Sequence, residues 1–182
     1  MELKNLAIYQ SALNEAFLKV DGNKVEEAIG RIRLRLDQSN TIWLIGNGGS
    51  AATASHFCVD LSKGSSTRLK RTLKAIPLMD LVPLQTAWSN DDSYEVALGM
   101  AVKNFAEKGD LLFAISGSGS SANVINALNS AREMGVETIG LTGFDGGKMS
   151  ALVDTEVNVP SSDMQIIEDV HHAICHFISR EI

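Results

Sequence analysis

The sequence predicts a doubly wound α/β fold, a five-stranded parallel sheet flanked by helices and preceded by two N-terminal helices. Three observations carry that expectation. From residue 41 onward, five short apolar runs alternate with helix-patterned segments. Each run is bounded by turn-forming residues, as strands are. The runs stay apolar throughout instead of alternating, which is the pattern of strands covered on both faces. Strand–helix–strand units with right-handed crossovers then build a single parallel sheet.

The elements follow in order. Leu6, Ile8, Leu13, Phe17, Leu18 and Val20 fall in one helical run, and Val25, Ala28, Ile29, Ile32 and Leu36 in a second. These helices are expected to cover one face of the sheet or to pack against a second subunit. "TIWLIG" (41–46) is the first strand and "AATASHFCVDLS" the helix after it. "LKAIPLM" (73–79) is the second strand, and "SYEVALGMAVKNFAEKG" a helix ended by Gly109. "DLLFAIS" (110–116) is the third strand, followed by "SANVINALNSAREMG", a helix stopped by Gly135. "VETIGLT" (136–142) and "DTEVNVP" (154–160) complete the sheet, and the remainder is helical. No linker, repeat or low-complexity segment interrupts the 182 residues. The expected organisation is one domain over 1–182, with residues 1–38 as packing or oligomerisation helices and 39–182 as the α/β core.

Composition narrows the function classes. Apolar residues make up 45% and charged residues 21%, an ordinary globular balance. Only 5% is aromatic, too little for a single-strand stacking platform, and a net charge of −6 disfavours phosphate-backbone binding. No nucleic-acid partner is expected. Cys58 and Cys175 form no C-x-x-C motif and read as buried, reduced thiols. "MELKNLAIYQ" has neither the apolar core of a signal peptide nor the arginines of a transit sequence. No apolar run reaches the roughly 18 residues of a membrane span. A cytoplasmic location is therefore expected.

Ligands of a doubly wound sheet sit beyond the carboxyl ends of its strands. Two strand ends carry loops suited to an anion. In "GNGGS", Gly46, Gly48 and Gly49 let the backbone approach a ligand, and Ser50 opens the next helix with a hydroxyl. In "ISGSGSS" (115–121), Ser116, Ser118, Ser120 and Ser121 surround Gly117 and Gly119. Hydroxyls and free N–H groups at a positive helix end suit a phosphate dianion. Neither loop runs into Lys-Ser/Thr, and "GNGGSA" lacks the full dinucleotide fingerprint, so no nucleotide or organic cofactor is expected. A third loop, "TGFDGGK" (142–148), reads as a turn shaped by Asp145 and its glycines.

Ionisable residues gather on two helices. His56 and Asp60 are four apart and share a helix face. Glu168, His172 and His176 form a polar stripe on the last helix, opposite Ile167, Val170, Ile174, Phe177 and Ile178. Such a pair taken alone is most often a surface salt bridge. If the two helices meet, His56, Asp60, Glu168 and His176 have the chemistry to hold Zn²⁺. "KGSSTRLKRTLK" (63–74) reads as a solvated loop, or as one whose Lys63, Arg68, Lys70, Arg71 or Lys74 reaches an anionic sugar. In "WSNDDSYE" (88–95), Asn90, Asp91 and Glu95 suit hydroxyl contacts, or Asp92 or Ser93 caps a helix.

Together, "GNGGSAATASHF", "SNDDSYE", "ISGSGSSANVINAL", "LTGFDGGKM" and "IIEDVHHAICH" resemble the successive motifs of the sugar-isomerase (SIS) domain family, most closely its phosphoheptose isomerase branch. The resemblance runs over nearly the whole chain. It implies a five-stranded parallel sheet, a homotetramer with sites at subunit interfaces, and aldose–ketose isomerisation of a sugar phosphate, most closely sedoheptulose 7-phosphate. It also implies that Ser116, Ser118 and Ser121 grip the phosphate, with Gly117 in place of a family threonine. Asn47 and Ser50 match the glycine loop, and Asp91 the sugar-contacting aspartate. His56 matches a histidine that can bind zinc, and His176 the terminal-helix histidine. Two positions depart from the pattern: Asp60 stands where the family has its catalytic glutamate, and Glu168 where it has glutamine. The implied roles are Asp60 as base, His176 as acid, Glu168 as the alternative base, and zinc on His56, Asp60, Glu168 and His176. Some family members instead keep the fold and serve as protein-binding factors, such as the bacterial replication initiator-associating protein, and an isomerase or sensor for another sugar phosphate is the further alternative. The ionisable groups at positions 56, 60, 168 and 176 favour an enzyme.

Overall fold

The computed structural model describes residues 5–182; the first four residues of the expected N-terminal helical segment lie outside that range. Five strands form one parallel sheet: β1 (Thr41–Ile45), β2 (Lys74–Pro77), β3 (Leu111–Ser116), β4 (Glu137–Gly143) and β5 (Thr155–Val159). Their order is β2-β1-β3-β4-β5, and every pairing is parallel. All five expected strands are present. The winding direction reverses between β1 and β3, which places the two anion-suited loops side by side at the switch point.

The strands' two-residue period divides the core between the faces. On one face Ile42, Leu44, Leu111, Phe113 and Ile115 pack with Ile139 and Leu141 under α2 (Gly22–Asp37), α3 (Gly48–Val59) and α8 (Met164–Glu181). On the other, Trp43, Ile45, Leu112 and Ala114 pack under α6 (Tyr94–Phe105) and α7 (Ala122–Met134). Helix α2 buries all five of its expected apolar positions, so it covers a sheet face. Helix α1 (Leu6–Leu18) buries only Ala16 and leaves Leu6 and Leu18 exposed. On α8, Ile167, Val170, Ile174 and Ile178 are buried as expected, whereas Phe177 is exposed.

Two segments differ from the sequence reading. The stretch expected as a loop at 63–74 is half helical: α3 runs into a π-helical turn over Asp60–Ser65 and then α4 (Ser66–Leu69), which stops where Lys70 turns left-handed. Two of its five cations serve the scaffold. Arg68 donates to the carbonyl of Ser179 on α8, and Arg71 pairs with Asp37 at 2.7 Å. A further helix, α5 (Val82–Asp91), precedes α6 and begins with Pro83 in its first turn, where the missing N–H costs nothing.

Candidate active site

The glycine loop turns sharply as it leaves β1. A Cβ on Gly46 would fall 2.7 Å from the backbone C and O of Ser50, so only glycine fits. Asn47 precedes α3 but makes no capping bond. Its amide instead joins Asn123 reciprocally: Asn47 Nδ2 donates to Asn123 Oδ1 at 2.9 Å, and Asn123 Nδ2 donates back to Asn47 Oδ1 at 2.8 Å. Tyr94 donates its hydroxyl to the same Oδ1 at 2.7 Å. This network fastens the loop after β1 to the helix after β3, and so fixes the spacing of the two loops.

Between them lies a cavity of about 140 Å³, lined by Asn47, Ser50, Ile115, Ser116, Gly117, Ser118, Ser121, Met164 and Glu168. Ser116 Oγ and Ser121 Oγ are 3.5 Å apart, and the Ser121 side chain caps nothing although the residue precedes α7. Uncommitted hydroxyls and the positive end of α7 thus face one small space. A Cβ on Gly117 would lie 2.5 Å from Met164 Sδ, so the thioether fills the room that the resemblance gives to a threonine. Gly48 and Gly49 form the exposed shoulder of the loop. Glu168 leans over that shoulder: a Cβ on Gly49 would come within 2.9 Å of both carboxylate oxygens. Its negative charge sits at the first turn of α3, where the helix dipole favours it. Asp91 lies apart from this lining, exposed at the end of α5 with its carboxylate accepting from Asn90. Asp145 accepts from the N–H of Gly147 at 3.2 Å, so its loop is a turn.

Helices α3 and α8 pack together, and their polar stripes meet. His56 Nε2 lies 3.1 Å from His176 Nε2. Asp60 reaches both, with Oδ1 3.7 Å from His56 Nε2 and Oδ2 3.7 Å from His176 Nε2. Asp60 Oδ2 is buried and has no hydrogen-bond partner among the described residues. His172 stands edge-on to the other two rings, with centroids 4.6 Å from His56 and 4.5 Å from His176. Burial lowers the His172 pKa, neighbouring His176 and His56 add to the effect, and Asp60 and Asp169 oppose it. His171 points the other way, buried, with Nε2 2.9 Å from the carbonyl of Thr142. Desolvation pushes its pKa down to about 4, so it is neutral near pH 7 and donates that bond.

These donors fit a transition-metal ion. Nitrogen ligands at about 2.0–2.1 Å in a tetrahedral shell stand about 3.3–3.4 Å from one another. The observed 3.1 and 3.7 Å spacings bracket that value. The buried, unpartnered oxygen of Asp60 is a donor that such a shell could use.

A SIS domain model matches residues 9–143. The chain belongs to the SIS domain family. Among SIS relatives, the phosphoheptose isomerase of Aliarcobacter butzleri is 46% identical over 151 residues, spanning 81% of this chain and 79% of that protein. The probable phosphoheptose isomerase of Thermoplasma volcanium is 36% identical over 97% of this chain and 90% of its own length. The solved phosphoheptose isomerase GmhA of Neisseria gonorrhoeae superposes with a TM-score of 0.89 at 30% identity, covering 96% of this chain and 95% of its own.

Within this SIS domain the sequence-derived residues fall into two groups. Asn47, Ser50, Ser116, Gly117, Ser118, Ser121 and Glu168 share the serine-loop cavity, whereas His56, Asp60 and His176 form the imidazole–carboxylate cluster. Glu168, expected among the metal ligands, lines the serine-loop cavity with its carboxylate over Gly49. Asn123 and Tyr94 were missed because each acts through a partner remote in sequence. His172 did carry a signal, since it lies midway between Glu168 and His176 at helical spacing.

Proposed function

We propose that this SIS domain is an aldose–ketose isomerase that interconverts sedoheptulose 7-phosphate and D-glycero-D-manno-heptose 7-phosphate through a cis-enediol. One observation carries the reading: α8 presents a carboxylate, Glu168, to a hydroxyl-lined cavity and imidazoles to α3 one and two turns later. Phosphate recognition and proton-transfer groups are thereby mounted on the same rigid helix. The names of the relatives, which cover up to 97% of the chain, support the same activity.

The phosphate end of the sugar is assigned to Ser50, Ser116, Ser118 and Ser121 with the amides of their loops, and Asn47, Gly48 and Gly49 shape the rim. Phosphate binding energy then holds the distant C1 and C2 in place for reaction. Starting from the ketose, a base removes a C1 proton while an acid protonates the C2 oxygen. The enediol then takes a proton at C2, and the C1 hydroxyl gives one up to form the aldehyde. Asp60 stands at the position that the resemblance assigns to the base, and His176 at that of the acid. The Asp60 oxygens face two imidazoles, which favours the ligand role for Asp60 and leaves the proton to Glu168. His56, Asp60 and His176 are proposed to hold zinc, which when bound would polarise the sugar carbonyl and stabilise the enediolate. Asp91 is assigned to sugar hydroxyls.

We place the enzyme in the cytoplasm as a homotetramer with sites completed between subunits. The cavity of about 140 Å³ is well below the roughly 300–1,000 Å³ of a complete small-molecule site, which supports completion by a neighbour. Among the described residues no helix is long and apolar enough to cross a membrane.

The test follows aldose formation from sedoheptulose 7-phosphate by metal-analysed protein, with and without added zinc. Turnover is expected, with KM raised roughly 10-fold or more by Ser116→Ala, the loss of a charge-assisted hydrogen bond. Glu168→Gln is expected to lower kcat by on order 10²-fold or more. No turnover under either condition, with no thermal shift from any sugar phosphate, overturns the reading.

A further inference from the structure

We propose that His172 is a ligand of the metal site, so that the cation is held by the three imidazoles of His56, His172 and His176 with Asp60, and Glu168 is left outside its shell. This inference rests on the metal-assisted reading above but concerns which side chains bind the ion.

Three observations carry it. One ring nitrogen from each histidine falls within 4.8 Å of the other two, so a single point is within reach of all three. The rings are mutually edge-on, with interplanar angles of 67–83° among the three pairs, so they do not stack and their edges can converge. Finally, Thr53, buried on α3, places its Oγ1 3.4 Å from His172 Nδ1. A threonine oxygen accepting from Nδ1–H selects the tautomer whose Nε2 lone pair is free, the usual outer-shell partner of a metal-bound histidine.

Glu168 has a different engagement. Its two oxygens lie over Gly49 at the first turn of α3, on the wall of the serine-loop cavity. Helical spacing explains the exchange: positions 172 and 176 are one turn apart on the face that meets His56, and position 168 is a further turn toward the cavity. Three imidazoles and one carboxylate make a borderline-soft donor set, suited to Zn²⁺, Co²⁺ or Ni²⁺ and not to Mg²⁺ or Ca²⁺. Glu168, free of the ion, keeps its lone pairs for the substrate proton.

The experiment measures Zn²⁺ affinity by competition with a chromogenic chelator, and the visible absorption of the Co²⁺ form, for full-length wild type and variants. His172→Gln is expected to weaken Zn²⁺ by about 10-fold or more and to alter the Co²⁺ spectrum. Thr53→Val, which keeps the side-chain volume and leaves His172 in place, is expected to weaken it by roughly 10-fold, the effect of losing an outer-shell partner. Glu168→Gln is expected to leave affinity and spectrum unchanged. Unaltered affinity and spectrum in His172→Gln, a large loss in Glu168→Gln, or wild type that binds no Zn²⁺ would each overturn the inference. Because these readouts need no substrate, metal binding through His172 without turnover of sedoheptulose 7-phosphate would refute the isomerase reading alone.

Discussion

Gly46 and Gly49 lie three residues apart in one loop, yet their neighbours give them opposite consequences. A methyl group on Gly46 would meet backbone atoms of Ser50 at 2.7 Å, and backbone there cannot yield without dismantling the turn. Gly46→Ala is therefore expected to cost about 2–4 kcal/mol of stability, read as a fall in the chemical-denaturation midpoint. On Gly49 the same methyl group would meet only the Glu168 carboxylate, the far end of a flexible side chain. Gly49→Ala is expected to leave the midpoint within about 1 kcal/mol while displacing that carboxylate by roughly an ångström. Misplacement of that size lowers kcat on the order of 10²-fold. A variant that kept full kcat would remove Glu168 from proton transfer. Asp60 fits the same pattern. Its carboxylate is one methylene shorter than the glutamate the resemblance implies, and it contacts two imidazoles on a neighbouring helix.

Between elements, ion pairs fasten α2 to the sheet. Glu27 accepts from Lys24 at 2.8 Å, from the Thr155 hydroxyl at 2.7 Å and from Arg31 at 2.9 Å. Arg31 and Arg35 both also reach Glu137 at the start of β4. The hydrogen bond from Lys24, followed by those from Thr155 and Arg31, pulls the Glu27 pKa down to about 2. A carboxyl that binds its proton more weakly when folded adds stability above its unfolded value near 4.5, and that stability is lost as pH falls toward 2. The group is about a third exposed, so solvent screening holds the contribution under about 1 kcal/mol. Urea titrations at pH 6 and pH 3 are expected to show a smaller loss of stability in Glu27→Gln than in wild type. An equal loss in both would deny Glu27 that role. The elements themselves were legible where burial imposes a pattern: five apolar runs became five strands, and the apolar stripes of α2 and α8 became buried faces. Helix α5 was not, since "VPLQTAWSND" mixes polar and apolar residues and buries only Gln85. The π-helical turn at Asp60 was hidden for another reason. It widens the backbone hydrogen-bond ring without changing residue types, so no side-chain period announces it. The site was half legible: loop chemistry marked the serine cavity, but spacing along one helix could not say which turn of α8 faces His56.

For the whole molecule, what a single chain lacks bears on the proposed tetramer. Helix α1 exposes Leu6, Phe17 and Leu18, apolar surface that a neighbouring copy would cover. The serine cavity is too small for a whole sugar phosphate, and Asp91, the proposed hydroxyl contact, is exposed away from its lining. If a neighbour supplies Asp91 to a site whose Glu168 belongs to another chain, two inactive variants should complement each other. Asp91→Ala and Glu168→Gln proteins, each expected to have little turnover, would be mixed in equal amounts under conditions that exchange subunits. Random reassembly leaves about a quarter of the sites with both native residues, so roughly a quarter of wild-type turnover is expected. If both residues act within one chain, every site inherits one defect and mixing restores nothing. Native mass spectrometry with one variant isotopically labelled shows that subunits have mixed, so absent complementation in mixed oligomers would place each complete site within a single subunit.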